Sequence, residues 1–291
     1  ADKAVAVLDD AGIVNVPSAA LTVLLLGPGT SITHSAVRTL ADSGCGVVWC
    51  GEDMVRFYAS GTGETRHSKN LLRQARIWAR PSLRQAVVRR LYEYRFAEPL
   101  APELTLRQIR GMEGGRVRQA YARFARAYGV EWRGRLYDRG TWLSADSVNR
   151  ALSVANACLY GVCHSAIVSL GFSPALGFIH TGKQLSFVYD IADLYKIDII
   201  APAAFQAARD EPGNPEKIVR GICRQRIREA RLLERISRDL MRLFDGLGAK
   251  DDDEFGDFDS DGAAPSGIWD ADSGDVLPGG RNFAIETDDG I

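Results

Sequence analysis

Two aspartates in an apolar stretch are the residues of this sequence best suited to chemistry. Asp190 and Asp193 lie within residues 176–198, and His180 precedes them, just before a Thr-Gly-Lys break. On a helix, which turns about 100° per residue, the two aspartates lie about 60° apart and share one face. Their apolar neighbours should bury much of that helix, and a buried carboxylate is unfavourable unless a cation neutralises it. The stretch therefore predicts a cation at Asp190 and Asp193, close to His180.

A purely structural interpretation of these residues stays open. An aspartate in an apolar helix is commonly the ion-pair partner of an arginine, and this chain has 30 arginines. A single histidine such as His180 is commonly a hydrogen-bonded core residue and not a ligand. The two interpretations differ in whether the neutralising cation is a side chain or a metal ion.

A glutamate inside a glycine-rich helix is a third acidic candidate. Residues 103–128 have the period of one long helix, and Gly111, Gly114 and Gly115 surround Glu113 within it. Each interior glycine destabilises a helix by about 1 kcal/mol relative to alanine. Three glycines in five positions indicate the close approach of another backbone or a ligand near Glu113. An ordinary tight helix crossing with an exposed glutamate is the alternative.

Charge is distributed very unevenly along the chain. Residues 250–291 hold 13 acidic and 2 basic residues, a net charge of −11, whereas residues 1–249 carry +10. Arginine outnumbers lysine by 30 to 6, and its planar guanidinium suits phosphate groups. A basic body with an acidic tail predicts a polyanionic partner, nucleic acid above all, with a tail that competes for the basic surface. A solvated surface with a disordered tail is the alternative.

The cysteines and the hydropathy predict a cytoplasmic protein without a membrane partner. The five cysteines are odd in number and form no Cys-x-x-Cys pair, which favours a reducing compartment over a disulfide framework. Cys158, Cys163 and His164 could be mistaken for metal ligands, but they lie in an apolar helix of small residues, where core packing is favoured. No apolar run reaches membrane-spanning length, and no signal peptide is visible.

Hydrophobic periodicity predicts an α+β fold with a small β region before a larger helical one. Residues 1–59 predict a β domain with strands at 4–8, 13–16, 21–26, 47–50 and 54–58 and a helix at 31–42. The continuous apolar run 21–26 should be buried on both faces, and Ser31 or Thr33 should cap the helix. The Gly-Pro-Gly turn at 27–29 lacks a following Lys-Ser/Thr pair, so it is not a phosphate-binding loop.

The rest of the chain has helical period and then loses it. Residues 60–72 are the predicted linker, and residues 73–247 the helical domain. Residues 248–291 form a predicted flexible acidic tail. The expected helices cover 71–79, 83–96, 103–128, 148–170, 202–209 and 218–247, with a further helix in the aspartate stretch.

Three motifs in this order resemble those of one protein family. Residues 111–118 (GMEGGRVR), 177–183 (GFIHTGK) and 185–196 (LSFVYDIADLYK) resemble the metal-site motifs of the universal CRISPR-associated endonuclease. That family is the integrase subunit of the CRISPR adaptation complex, and the motifs are most similar to its type I-E branch. The segments GPGTSITHSAVR and VRFYASG are similar to the N-terminal domain of the same family, so the likeness runs from residue 1 to about residue 246.

This resemblance implies a fold and an assembly. It implies a β-sandwich-like N-terminal domain that serves dimerisation and DNA contacts, followed by an all-α catalytic domain. The chain is then expected to form a homodimer. Two such dimers flank a dimer of a small ferredoxin-like adaptation protein, in a hetero-hexamer of four and two that binds double-stranded DNA.

The resemblance also implies roles for single residues. Glu113, His180 and Asp193 match the family's metal ligands, and Asp190 matches another acidic residue needed for activity. Arg38, Arg56, Tyr160 and Lys183 match positions that contact DNA or support the active assembly. The arginine that some relatives carry before the first helix is Ser31 here. Carboxylate oxygens with one imidazole nitrogen suit Mg²⁺ and also admit Mn²⁺.

The implied activity is phosphodiester strand transfer, which would join the 3′-hydroxyl ends of captured foreign DNA to the CRISPR repeat. Water in place of the hydroxyl would give endonuclease activity. Two alternatives remain open: a structure-specific nuclease that acts on branched DNA in repair, and a DNA-binding scaffold without enzymatic activity.

Overall fold

The described part of the β region contains two small sheets, one α-helix and a short 3₁₀ helix, Ser18–Ala20. Strands β1 (Ala4–Asp9) and β2 (Gly12–Pro17) form an antiparallel hairpin in which Ala4 pairs with Pro17. The second sheet has the order β3 (Val23–Leu26), β4 (Gly46–Cys50), β5 (Phe57–Gly61). Strands β3 and β4 are parallel, and helix α1 (His34–Asp42) lies between them in the chain. This computed structural model describes residues 4–9, 12–21, 23–51, 57–61, 68–135, 146–247, 268–274 and 276–277.

Helix α1 joins the two sheets into one small core. It contacts both β1 and β4, and the buried residues of this core are Val5, Leu26, Leu40, Cys45 and Val47. The Thr33 hydroxyl caps α1 by accepting a hydrogen bond from the Ala36 amide at 3.1 Å. The predicted cap at Thr33 is therefore confirmed.

One expectation for the β region is wrong. The run 21–26 was expected to be buried on both faces, but within β3 only Leu26 is buried and the other residues are half-exposed. The reason is the topology, because β3 is an edge strand of a three-stranded sheet. Arg56 and the start of the predicted strand 54–58 lie outside the described residues.

Eight more α-helices follow α1 along the described part of the chain. They are α2 (Lys69–Ala79), α3 (Pro81–Phe96), α4 (Leu106–Tyr128), α5 (Ser147–Ser169), α6 (Ser186–Ala192), α7 (Ala201–Asp210), α8 (Glu216–Glu229) and α9 (Leu232–Phe244). A π-helical turn, Lys196–Ile200, lies between α6 and α7. The α+β class with a helical remainder is thus confirmed.

Local sequence explains where the long helices begin and end. Pro81 occupies the first turn of α3. Thr105 and Gln108 form a reciprocal capping box at the start of α4, and Gly129 ends that helix with a φ of 65°. Asp146 caps α5 by accepting a hydrogen bond from the Asn149 amide. These signals fix the ends of the helices that carry the site.

Helix α5 is the centre of the helical region. It packs against α6, α7, α8 and α9, and it also contacts β4 and β5. By length and composition alone it could cross a membrane, contrary to the expectation that no apolar run was long enough. Most of it is buried inside the protein, which is typical of a core helix. Cys158 and Cys163 are buried in it, as expected, and His164 stacks on Phe57 of β5 with ring centroids 3.6 Å apart.

Two predicted boundaries need correction. The single helix expected at 218–247 is two helices, because Arg231 adopts a left-handed conformation with a φ of 46° and ends the first of them. No glycine or proline marks this break. The predicted linker 60–72 overlaps the end of β5 and the first turn of α2, and residues 62–67 lie outside the described ranges.

The chain divides after Leu247 into a second unit, Gly248–Ile291. Its described part contains two short strands, β6 (Ile268–Trp269) and β7 (Val276–Leu277), which pair antiparallel. The other residues of the predicted acidic tail lie outside the described ranges.

Candidate nuclease site

A fully buried carboxylate organises the loop that precedes α6. One oxygen of Asp190 accepts hydrogen bonds from the amides of Phe178 (2.6 Å) and Ile179 (3.0 Å). The other oxygen accepts from the amide of His180 at 2.9 Å and lies 2.7 Å from the Nδ1 atom of the same residue. Four donors around one side chain suit an ionised carboxylate, which only accepts. Asp190 therefore fixes both the loop backbone and the imidazole ring.

The imidazole of His180 is left with one free nitrogen. In the neutral tautomer in which Nδ1 donates to Asp190, the Nε2 atom has a lone pair. The side chain is 43% exposed, so this nitrogen is open to a ligand. A histidine that donates one ring N–H to a carboxylate while the other nitrogen faces outward is typical of metal-binding histidines.

The loop depends on a glycine and on contacts from α2 and α3. A Cβ atom at Gly177 would lie 2.3 Å from the carbonyl oxygen of His180 and 2.7 Å from the Cβ atom of Ser186, so no side chain fits there. The indole of Trp78 donates to the carbonyl of Gly177 at 3.0 Å, and the Arg84 guanidinium donates to the carbonyl of Phe178. The position of His180 is therefore determined by packing as well as by Asp190.

Asp193, the first residue after α6, is held by two cationic side chains. The Nζ atom of Lys196 lies 2.6 Å from one carboxylate oxygen, and a terminal nitrogen of Arg95 lies 3.2 Å from the other. Burial alone would raise the pKa of Asp193, but Lys196 and Arg95, with a smaller contribution from His180, outweigh burial and hold that pKa below its ordinary value. Asp193 is thus a charged group that movable cations neutralise.

The same arginine reaches Glu113. The second terminal nitrogen of Arg95 lies 4.0 Å from a Glu113 oxygen, and the Nε atom of Arg116 lies 3.1 Å from the other Glu113 oxygen. Glu113 comes from α4, Asp193 from the end of α6 and Arg95 from α3. Arg95 therefore links two carboxylates that are 80 positions apart in the chain.

A row of aromatic rings connects Lys196 with His180. The Lys196 ammonium lies 5.1 Å from the centre of the Tyr160 ring, Tyr160 meets Tyr189 edge-on at 5.0 Å, and Tyr189 meets His180 edge-on at 5.8 Å. Burial raises the pKa of Tyr160, with Lys196 opposing it. Burial would lower the pKa of Lys196, but the Asp193 charge outweighs it and raises that pKa. Lys196 therefore stays charged beside the carboxylates.

The residue types fit a hard divalent ion, whereas their present partners are side-chain cations. Across the described ranges, no three His, Cys, Asp or Glu side chains are grouped so that they could hold a metal ion. Glu113 and Asp193 share Arg95 instead, and the free nitrogen of His180 is the remaining donor. The ion-pair interpretation that the sequence left open describes Asp193 in this arrangement. The metal set Glu113, His180 and Asp193 stays a prediction.

The predicted DNA contacts occupy different surroundings. Arg38 is exposed on α1 in the β region, and Lys183 is exposed in the loop before α6, where its amide donates to the Ser186 hydroxyl at 3.0 Å. Tyr160 lies half-buried on α5 beside Lys196. These three residues are therefore not one cluster with a common partner, and their DNA roles stay predictions.

Two residues at the carboxylates were missed by the sequence analysis. Lys196 follows Asp193 by three positions, and this helical spacing was a usable signal for an ion pair. Arg95 had no comparable signal, because it comes from a helix about 100 positions earlier and is one of 30 arginines.

The glycines around Glu113 are not crowded by the part of the chain that the structure describes. A Cβ atom at Gly111 or Gly115 would meet no other atom within 4 Å, and at Gly114 the nearest atom is an Arg118 guanidinium nitrogen at 3.7 Å. Within the described residues, neither the expected close approach of another backbone nor a tight helix crossing accounts for these three glycines.

Comparisons with known proteins agree with this fold and identify the family. The family model described as CRISPR associated protein Cas1 matches residues 93–220. A relative from Thermus thermophilus, named CRISPR-associated endonuclease Cas1 2, is 56% identical over 91% of this chain and 81% of its own length. The CRISPR-associated endonuclease Cas1 of Escherichia coli K12 is 45% identical over 81% of this chain and 77% of its own length. The chain therefore belongs to the Cas1 family.

A solved structure from this family was determined with DNA. Described as a TtCas1–DNA complex, it is 57% identical to this chain in sequence and superimposes with a TM-score of 0.80. The match covers 84% of this chain and 92% of the solved one. Most of the chain thus has a counterpart of known structure.

Proposed function

We propose that this chain is a metal-dependent DNA endonuclease and integrase of CRISPR adaptation, of the type I-E branch. It joins the 3′-hydroxyl ends of captured foreign DNA to the CRISPR repeat. The observation that carries the proposal is the buried Asp190, which holds His180 with one nitrogen free, while the Glu113 and Asp193 carboxylates share Arg95 nearby in the chain's helical region. The curated relatives are named endonucleases, and a solved relative is a complex with DNA, which supports the same activity.

The reaction exchanges one phosphodiester bond for another. The 3′-oxygen of the fragment attacks a phosphorus atom of the repeat, a new P–O bond forms, and the existing P–O bond to the repeat's 3′-oxygen breaks. The attacking hydroxyl releases a proton, and the leaving oxygen gains one, so no oxidant or reductant takes part. Hydrolysis follows the same course with water as the attacking group.

Each side chain of the site has a definable task in this proposal. Glu113, His180 and Asp193 would hold the Mg²⁺ or Mn²⁺ ion, which when bound supplies positive charge to the attacking and leaving oxygens. Asp190 keeps the ring of His180 in one orientation and one tautomer. Lys196 keeps a positive charge beside Asp193, where it offsets the charge of the carboxylates and of an approaching phosphate.

The assembly proposed for the chain is a homodimer that combines with a small ferredoxin-like adaptation protein, four copies to two, in the prokaryotic cytoplasm. An apolar patch on the β1–β2 hairpin supports a dimer, because Val7, Leu8, Ile13 and Val14 are all exposed there. Arg38, Arg56, Tyr160 and Lys183 are the proposed contacts to double-stranded DNA. Such binding to phosphates should weaken steeply as salt is added.

A DNA-binding scaffold without enzymatic activity is the second candidate. Buried carboxylates without partners would argue against it, but Arg95 and Lys196 already neutralise them in this structure. Ion pairs alone could therefore account for Glu113 and Asp193. A direct assay has to separate the two candidates.

The decisive experiment is strand transfer with the purified small partner, in Mg²⁺, in Mn²⁺ and in chelator. Wild-type protein should join DNA fragments to a repeat only with metal present. Glu113→Gln should abolish joining while fluorescence anisotropy shows unchanged DNA binding. Glu131→Gln is the matched control, because Glu131 is exposed and pairs with Arg133 away from the site. DNA binding by the wild-type protein without joining in either metal would favour the scaffold, whereas joining by the Glu113→Gln protein at the wild-type rate would exclude Glu113 from the metal site.

A further inference from the structure

We propose that Arg95 is an internal counterion that a divalent metal ion must displace from Glu113 and Asp193. This inference rests on the proposed metal-dependent function, and it adds a residue that sets how tightly the metal is held. In the metal-free chain Arg95 holds the two carboxylates together; in the metal-bound chain the ion takes over that position.

The first argument is the position of the arginine. Its side chain is 5% exposed, and its two terminal nitrogens face Asp193 at 3.2 Å and Glu113 at 4.0 Å. One cationic group thus bridges the same two carboxylates that were expected to bridge to a metal ion. A guanidinium and a divalent ion cannot both occupy the space between them, so the two cations compete.

The second argument is that Arg95 is held imperfectly. The Nε atom and the terminal nitrogen nearest Asp193 are buried, and neither has a hydrogen-bond partner of acceptable geometry. A buried donor without an acceptor is unfavourable, because it has given up its hydrogen bonds to water. Lys196, by contrast, donates a 2.6 Å hydrogen bond to Asp193. Of the two cations on Asp193, Arg95 is therefore the one that is released more easily.

The third argument is that the guanidinium already has a favourable contact apart from the carboxylates. Its central carbon lies 5.0 Å from the centre of the Tyr92 ring, on the preceding turn of α3. An aromatic face attracts a guanidinium electrostatically. Arg95 can therefore leave the carboxylates and keep a favourable contact with this ring.

The competition has two measurable consequences. Neutralising position 95 removes the counterion, so the metal-free protein loses stability through repulsion between Glu113 and Asp193. The same change leaves the carboxylates unopposed, so the protein binds the metal more tightly. A merely structural arginine would produce the first effect without the second.

The test measures Mn²⁺ binding to the full chain by calorimetry, together with the unfolding midpoint with and without Mn²⁺. Arg95→Gln should lower the metal-free midpoint and tighten the Mn²⁺ dissociation constant by roughly tenfold, the usual size of a coupling between two sites. Adding Mn²⁺ should raise the unfolding midpoint of the Arg95→Gln protein more than that of wild type, by an amount that matches the tighter binding. Arg95→Lys, which keeps a charge but loses the two-pronged bridge, should fold like wild type and show a smaller tightening.

Arg90→Gln is the matched control. Arg90 also lies on α3, and its guanidinium donates to the carbonyls of Leu243 and Asp245, away from the site. Its loss should lower the midpoint and leave the Mn²⁺ dissociation constant unchanged.

The outcomes separate this inference from the proposed function. If wild-type protein binds Mn²⁺ and Glu113→Gln abolishes binding, the metal site stands. Unchanged or weaker Mn²⁺ binding by both Arg95 variants then overturns the competition alone. If wild-type protein binds no Mn²⁺, the metal-dependent function itself is overturned, and the competition with it.

Discussion

Asp190 and Asp193 lie three residues apart, and their surroundings differ in kind. Asp190 is surrounded by backbone N–H groups and one imidazole N–H, all from the loop 178–180. Asp193 is surrounded by the ends of two long side chains, Arg95 and Lys196. Both carboxylates are stabilised inside the protein, Asp190 by hydrogen-bond donors of one loop and Asp193 by two cationic side chains.

This difference divides the site into a fixed and an exchangeable part. The backbone amides cannot move away from Asp190 unless the loop unfolds, so Asp190 and the loop 178–180 keep one geometry. The side chains around Asp193 can rotate away, so their places can be taken by another cation. Asp190 should therefore govern stability, and Asp193 should govern activity.

The largest expected effect comes from emptying the fixed part. Asp190→Ala leaves the amides of Phe178, Ile179 and His180 without an acceptor. Each buried N–H left unpaired is unfavourable by about 1–3 kcal/mol, so the free energy of unfolding should fall by about 4 kcal/mol. Urea denaturation measures it. A loss below about 1 kcal/mol would show that the loop does not depend on this carboxylate.

A side chain at Gly177, which would crowd the same loop, should have the next largest effect on stability. Gly177→Ala puts a methyl group against the His180 carbonyl and Ser186, so the free energy of unfolding should fall by about 2–3 kcal/mol and strand transfer should be lost. Gly221→Ala, in the interior of α8 with open space around it, is the matched control and should gain about 1 kcal/mol. Equal behaviour of the two variants in urea would contradict the close approach at Gly177.

The exchangeable part should show the opposite balance. Asp193→Asn should lower the free energy of unfolding by only about 1–2 kcal/mol. Arg95 would still face the Glu113 carboxylate and Lys196 would still lie over the Tyr160 ring, so each cation retains a partner. Strand transfer should nevertheless fall by at least about 100-fold, since a metal-binding carboxylate contributes several kcal/mol to such chemistry. Gel-based joining assays and DNA anisotropy, run on the same preparation, check both halves of this prediction.

The smallest effect concerns His164, which stacks on the Phe57 ring. Burial against Phe57 lowers the pKa of His164 to about 4, from an ordinary value near 6.5. Between these values the unfolded chain binds a proton that the folded chain does not, so stability should decrease as the pH falls from about 6.5 to about 4. His164→Phe should flatten this part of the pH profile and leave stability at pH 7.5 nearly unchanged. Urea midpoints at several pH values measure the difference.

The sequence was sufficient for the parts that local patterns determine. Apolar period located α3, α4 and α5 to within a few positions, and the spacing of Asp190 and Asp193 marked the site. The partners of those aspartates were beyond local patterns. The amides that bind Asp190 belong to a loop about ten positions earlier in the chain, and the Arg95 that pairs with Asp193 belongs to helix α3. The break at Arg231 was missed because a left-handed arginine has no sequence signature.

The open space beside the glycines of α4 makes this helix a natural place for engineering. Alanine at Gly111 or Gly115 would contact nothing in the described chain, and each substitution should raise the free energy of unfolding by about 1 kcal/mol. A doubly substituted protein that is harder to melt yet poorer at joining DNA would reveal that bare backbone there serves a contact outside the chain. A doubly substituted protein with a higher unfolding temperature and unchanged joining activity would be a more stable reagent.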